Sequence, residues 1–199
     1  IHYGATSNDI LDTATGLQLR DALDILEQKL KTLLKVLLDR AEKTRYLVCI
    51  GRTHGQHGVP TTYGLRFAIW ASEIGRHIER LLQMRPRVCV GQLTGAVGTQ
   101  AALGEKGMEI QEEMMKILNI SSVDVSNQII QRDRYAEYFC FLANVATTLD
   151  KIGVEIRSLQ RTEIGEVEEA FGAKQVGSST MHHKRNPIKS EQVCGLARI

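Results

Sequence analysis

Aromatic residues are scarce in this chain, at 5% of its 199 positions, and there are only three prolines. Beside abundant Leu, Glu, Lys and Ala, that scarcity favours helices. An excess of one charge is also missing. The formal net charge is +2, so the bulk balance asks for neither nucleic acid nor an anionic membrane surface. No apolar run approaches the ~20 residues that span a bilayer, and no stretch reads as a signal peptide. Cysteine is limited to Cys49, Cys89, Cys140 and Cys194, with no CxxC pair. Cys89 and Cys140 lie in apolar stretches, which predicts buried, reduced thiols in a cytoplasmic protein rather than a disulfide framework. What is present is 43% hydrophobic residues, enough at this length for one domain with a real core.

The apolar residues recur at helical spacing. Residues 10–44 carry Leu19, Leu23, Leu26, Leu30, Leu33, Leu34, Leu37 and Leu38, one stripe along a long helix. Thr6 and Asp9 precede it as a Thr-x-x-Asp start resembling a capping box. A second helix is predicted over 62–84 with Pro86 as its stop, a third over 100–118 and a fourth over 132–164. Residues 51–60, 91–99, 121–127 and 170–187 read as breaks, with no internal repeat and no convincing strand ladder. The expected fold is therefore all-α, an elongated bundle of long helices. Leu-rich faces on more than one side predict a homo-oligomer. Residue 1 is Ile, and the segment from Glu191 reads as the first turns of an uncapped helix. We therefore expect 1–199 to be one domain of a longer chain, incomplete at both ends.

Chemistry is expected where the helical pattern breaks. The first island holds His2, Tyr3, Thr6 and Ser7; hydroxyls and free N–H groups at a helix start suit a carboxylate or phosphate, and equally suit a plain cap. The second is Gly51-Arg52-Thr53-His54-Gly55-Gln56-His57-Gly58. His54 and His57 have a ligand-like spacing, but no third ligand and no HExxH accompany them, so no metal is expected. A histidine between loop residues is an accessible acid or base, or a structural turn histidine. The third, residues 91–99, is Gly-rich but is neither GxGxxG nor a Walker loop, and close packing or a tight turn is the better reading. Gln128, Arg132 and Arg134 follow it. The fourth, 177–187, reads Gly-Ser-Ser-Thr-Met-His-His-Lys-Arg-Asn-Pro. It offers a loop with hydroxyls and, in Lys184 and Asn186, an anion clamp. Its short basic run falls short of a nucleic-acid patch.

That last segment resembles the GSSxMPxKxNP loop of the fumarase/aspartase superfamily, matching every defined position except Pro, which is His182 here. The first island is similar to the superfamily's TSxD segment, and GRTHGQH to its Thr-His segment. His-Lys-Arg-Asn-Pro together with Ser126–Arg134 resembles the adenylosuccinate lyase branch. The carboxymuconate cycloisomerase branch shares both features but lacks the histidine at position 54. A non-catalytic relative is the third alternative, and the intact set of Ser178, Lys184, Asn186 and His54 speaks against it.

The resemblance covers essentially the whole chain. It implies the superfamily's central all-α domain, a homotetramer with each active site shared between subunits, no cofactor and no metal. It further implies elimination of fumarate from adenylosuccinate, giving AMP, and from SAICAR, giving AICAR. On that basis Ser178 is the general base, Lys184 and Asn186 stabilise the carbanion-like intermediate, His54 is the general acid and Glu191 orients it. His2, Tyr3, Thr6, Ser7, Thr53, Gln128, Arg132, Ser179 and Met181 are the implied substrate-binding positions. Proline fixes φ and stiffens a loop; His182 does neither, which makes the loop's rigidity the expected departure.

Overall fold

Ser7–Lys43 form α1, thirty-seven residues long. The computed structural model describes residues 2–172, 178 and 180–199. These residues divide into two units, 1–141 and 142–199. In the first unit α1 buries Leu23, Leu30 and Leu37, seven residues apart, with Gly16 a further seven before. The opposing helix α2, Tyr63–Val88, buries Trp70, Ile74, His77, Leu81, Met84 and Val88 at alternating steps of four and three. Two such stripes form a seam of interlocking side chains, and each fully buried Leu contributes about 1.5–3 kcal/mol. The helices are antiparallel. Gly64 packs against Ala41 and Arg45 at one end, and Arg85 pairs with Asp24 at 2.6 Å and Glu27 at 3.0 Å towards the other. Leu26, Leu33 and Leu34 are half-buried and Leu38 is exposed, so the predicted stripe is narrower than its leucines suggest.

Pro86 does not end α2, which continues to Val88. The proline sits in the last turn, where its missing N–H costs a single bond, and Cys89 N–H closes the helix on the Arg85 carbonyl at 2.9 Å. The break at 51–60 is an antiparallel hairpin, β1 (Val48–Thr53) with β2 (Gln56–Thr62), irregular between Ile50 and Arg52. Alternation was too weak to show it, because β2 is mostly exposed and β1 is half-buried along its middle without alternating. A two-residue β3 (Val90–Gly91) pairs in parallel with β4 (Ser121–Ser122). Val90, Val123 and Ile130 make a small core beside it.

The third predicted helix divides. Ala101–Lys106 is 3₁₀, Gly104 (φ 65°) breaks it, and α3 runs over Gly107–Leu118. Arg20 of α1 caps α3 by donating to the Leu118 carbonyl at 2.6 Å. The fourth helix, α4, is Asp133–Leu159, starting one residue later and ending five earlier than expected. The unit boundary falls within it. In the second unit the end of α4 packs on α5, Ile188–Leu196, where a Cβ on Gly153 would lie 2.7 Å from the Cys194 sulfur.

All four thiols are free, and Cys89 and Cys194 are buried. Burial pushes the Cys89 thiol up to about 11, so it is unreactive. Cys140 is exposed, against expectation: it lies on a side of α4 that the described residues leave uncovered. Among the described residues no helix is long and apolar enough to cross a membrane.

Candidate active site

In the first unit a buried polar network arranges the candidate residues. Asp9 is wholly buried, and its carboxylate accepts N–H bonds from Thr6 (2.8 Å), Thr94 (3.1 Å) and Gly95 (3.0 Å). Three donors on one carboxylate make its burial tolerable. Thr13 exchanges two bonds with the Gln92 backbone, at 3.0 and 3.1 Å. Gln111 accepts from Leu93 N–H at 2.9 Å. The backbone donors of 92–95 thus point at protein side chains, and the Gly-rich loop is no phosphate cradle. Its glycines allow close approach: a Cβ on Gly98 (φ 82°) would lie 2.1 Å from the Ser126 carbonyl oxygen.

The same network places the segment that follows. Asp12, buried, accepts from Ile130 N–H at 2.8 Å and pairs with Arg132 at 2.9 Å. Gln92 donates to the Gln128 carbonyl at 2.9 Å, and the Gln128 side chain reaches the Thr6 hydroxyl at 3.5 Å. Thr6, Gln128 and Arg132 are therefore gathered at the N-terminal end of α1. Thr6 is buried and occupied by protein contacts, whereas Ser7, in the first turn, is exposed. His2 (φ 65°) and Tyr3 are exposed just before them. Arg132 is tied to Asp12 and lies 4.9 Å from the Tyr135 ring centre, so its first task here is structural. Sequence reasoning passed over Asp12, Gln92 and Gln111. A signal existed for Asp12: with Asp9, Gly16 and Leu23 it shares the helical face that is buried.

His54 occupies the hairpin turn. His54 (φ 54°) and Gly55 (φ 72°) both have positive φ, the signature of a two-residue type I′ turn, with His where Asn is usual. The turn lifts Thr53 and His54 into the open, and His54 has no hydrogen-bond partner among the described residues. His57 instead faces Arg52 at 3.4 Å. No cluster of metal-ligating side chains occurs among the described residues.

The remaining candidates lie in the second unit. The Ser178 hydroxyl accepts from the backbone N–H groups of Thr180 (3.4 Å) and Met181 (3.3 Å). Two donors aimed at this oxygen favour its anionic form. Ser179 lies outside the described residues. The Lys184 N–H closes a turn on the Met181 carbonyl at 3.0 Å, and His182 is the second residue of that turn. Lys184, Asn186 and Glu191 line one cavity of about 680 Å³, with His183, Arg157 and Arg161. Glu169 holds the stem of the loop, accepting from Ser190 N–H (2.7 Å), Ser190 hydroxyl (2.6 Å) and Lys189 N–H (3.1 Å). Burial alone would raise the Glu169 carboxyl, but these hydrogen bonds outweigh it and hold it below its usual range. Arg185 pairs with Glu168 at 2.5 Å, and Gln160 donates to the Arg185 carbonyl at 3.2 Å.

A protein-family model described as lyase matches residues 1–198. The adenylosuccinate lyase of Methanocaldococcus jannaschii is 60% identical over 200 residues, and that of Archaeoglobus fulgidus 62% over 199. These alignments cover the whole chain but only 43% and 45% of those relatives. The chain thus spans less than half the length of the curated proteins it matches. Among solved structures it is similar to the 3-carboxy-cis,cis-muconate lactonizing enzyme of Pseudomonas putida, with a TM-score of 0.90 at 42% identity. That match covers 99% of the chain and 44% of the neighbour. A fumarate lyase from a Mesorhizobium species gives 0.86 at 37% identity, over 99% and 43%.

Proposed function

The chain belongs to the lyase family, and from that membership we propose that it is the central part of an adenylosuccinate lyase. Such an enzyme eliminates fumarate from adenylosuccinate, leaving AMP, and from SAICAR, leaving AICAR. The observation that carries this reading is identity of about 60% to adenylosuccinate lyases along the whole chain; Ser178, Lys184, Asn186, Glu191 and His54 are all present in the sequence.

The reaction removes a proton from the carbon beside a carboxylate and expels an amine from the next carbon. A C–H and a C–N bond break, and the carbon–carbon double bond of fumarate forms. Ser178 takes the proton, its alkoxide supported by the Thr180 and Met181 N–H groups. Lys184 and Asn186 stabilise the charge that moves onto the neighbouring carboxylate oxygens. His54 protonates the departing purine nitrogen, and Glu191 orients the imidazole and favours its charged form. Thr53, Ser179 and Met181 are further substrate-binding positions in this reading. His2, Tyr3, Thr6, Ser7, Gln128 and Arg132 bind the remainder of the substrate, and neither metal nor cofactor takes part.

His54 falls in the first unit and Ser178 in the second, and we read the complete site as shared between the subunits of a homotetramer. Large apolar side chains left exposed on α1 and α2, among them Ile25, Val36, Leu38, Leu65 and Ile69, support that assembly. The proposed setting is the cytoplasm.

Release of fumarate from adenylosuccinate by the whole protein tests the reading, with argininosuccinate and malate as controls. Activity with adenylosuccinate alone is expected, and Ser178→Ala should lower it at least ~10²–10⁴-fold. A second reading, a carboxymuconate cycloisomerase, draws on the similarity to the lactonizing enzyme. His54→Gln separates the two. It should abolish elimination if His54 is the acid and leave a cycloisomerase almost untouched.

A further inference from the structure

The cavity of about 680 Å³ in the second unit carries more positive charge than the catalytic set explains. Arg157, in the last turn of α4, and Arg161, just beyond its end, line it together with Lys184 and Asn186. Arg157 and Arg161 thus reach the same cavity from the end of α4 and the turn that follows it. The other arginine of the wall, Arg185, is neutralised by Glu168. Arg157, Arg161 and Lys184 have no acidic partner among the described residues, and Glu191 is the one carboxylate lining the cavity. Arg157 is half-buried, and Asn186 with it, which limits screening by water.

The N-terminus of α5 also borders the cavity, but its Lys189 and Ser190 N–H groups are already taken by Glu169. An anion in the cavity must therefore be met by side chains. Two arginines present planar forks of donors, which match the oxygens of phosphate or carboxylate better than lysine does. Unpaired guanidinium groups gathered in a concave site raise the local concentration of anions and bind them as charge-assisted partners.

We propose that Arg157 and Arg161, with Lys184, form a seat for a doubly charged oxyanion, either a phosphate monoester or a pair of carboxylates. The elimination reading above supplies only the identity of that group, since a succinylated nucleotide carries both. Arg157 and Arg161 would then fix one charged end of the substrate while the Ser178 loop acts on it.

Titration of the whole protein with inorganic phosphate and, separately, with fumarate tests the seat by calorimetry. Arg157→Gln and Arg161→Gln should each weaken binding at least about tenfold. Arg157→Lys, which keeps the charge and loses the fork, should fall between wild type and Arg157→Gln. Weakening of phosphate alone assigns the seat to the phosphate monoester, weakening of fumarate alone assigns it to the carboxylates, and weakening of both makes it common to them. Unchanged affinities in folded variants, or a wild-type protein that binds neither anion at millimolar concentration, overturn the proposal. If Arg157→Gln does not fold, the exposed Arg161 and its variant decide. A wild-type protein that releases no fumarate from adenylosuccinate refutes the elimination reading and leaves these binding results standing. With elimination present, Arg161→Gln should raise KM for the nucleotide far more than it lowers kcat, a split that general loosening of the loop would not produce.

Discussion

His182 sits at the second position of the Met181–Lys184 turn, closed by a 3.0 Å hydrogen bond, at the one place where this segment departs from the GSSxMPxKxNP pattern it resembles. That position of a type I turn favours φ near −65°, which proline sets in advance. No acceptor for the His182 N–H exists among the described residues, so proline would forfeit no bond. His182→Pro is expected to raise stability by about 0.4–1 kcal/mol through the unfolded chain and to leave kcat equal or higher. Thermal unfolding and steady-state rates check both; a lower midpoint with a lower kcat would show that the turn has a different conformation. At this scale the sequence was most legible at Thr6 and Asp9, whose spacing announces the capping box that opens α1. It was least legible at Asp12 and Gln92, whose burial depends on partners 118 and 36 residues away.

Among the elements, α1 and α2 were readable because a long amphipathic helix repeats its signal many times, and the seam uses that repeat. The distinction between buried and exposed leucines on α1 was not readable, since it depends on where α2 lies. It has a consequence. Leu30→Ala empties a packed position and should cost about 2–5 kcal/mol, whereas Leu38→Ala, on the face α2 does not cover, should cost under ~0.5 kcal/mol within a single subunit. Denaturant unfolding of the whole protein, with its oligomeric state followed in parallel, compares them. Dissociation in Leu38→Ala without loss of helix would place that face at a subunit contact. The hairpin went unread for a related reason. Neither strand alternates between buried and exposed positions, and His54-Gly55 does not advertise a type I′ turn as Asn-Gly would.

For the whole molecule, His77 links fold to pH. It is buried on α2, its ring edge-on to Phe141 at 6.3 Å. Burial, then the charges of Arg80 and Arg76, lower its pKa against the opposing pull of Glu73. The folded state therefore prefers the neutral ring. Its contribution is fully present above the unfolded value of ~6.5 and is lost as pH falls through the lower folded value. The unfolding midpoint is expected to drop between about pH 7 and pH 5, and His77→Asn should flatten that part of the profile while lowering stability at neutral pH. An identical acid limb in the variant would show that other groups set it.

What the sequence by itself determined is the helical class, the capping start of α1 and the residue types at each break, because each rests on local spacing or on a short run of neighbours. Only the tertiary structure decided which leucines are core, that Pro86 is tolerated inside a helix, that His54 rides on a hairpin, and that Asp9 and Asp12 fasten loops rather than meet a ligand. Only it gathered Arg157 and Arg161 beside Lys184 and Asn186. The leucines, the two aspartates and the arginines depend on contacts between residues far apart in the chain, and Pro86 and His54 on backbone geometry that residue type alone does not set.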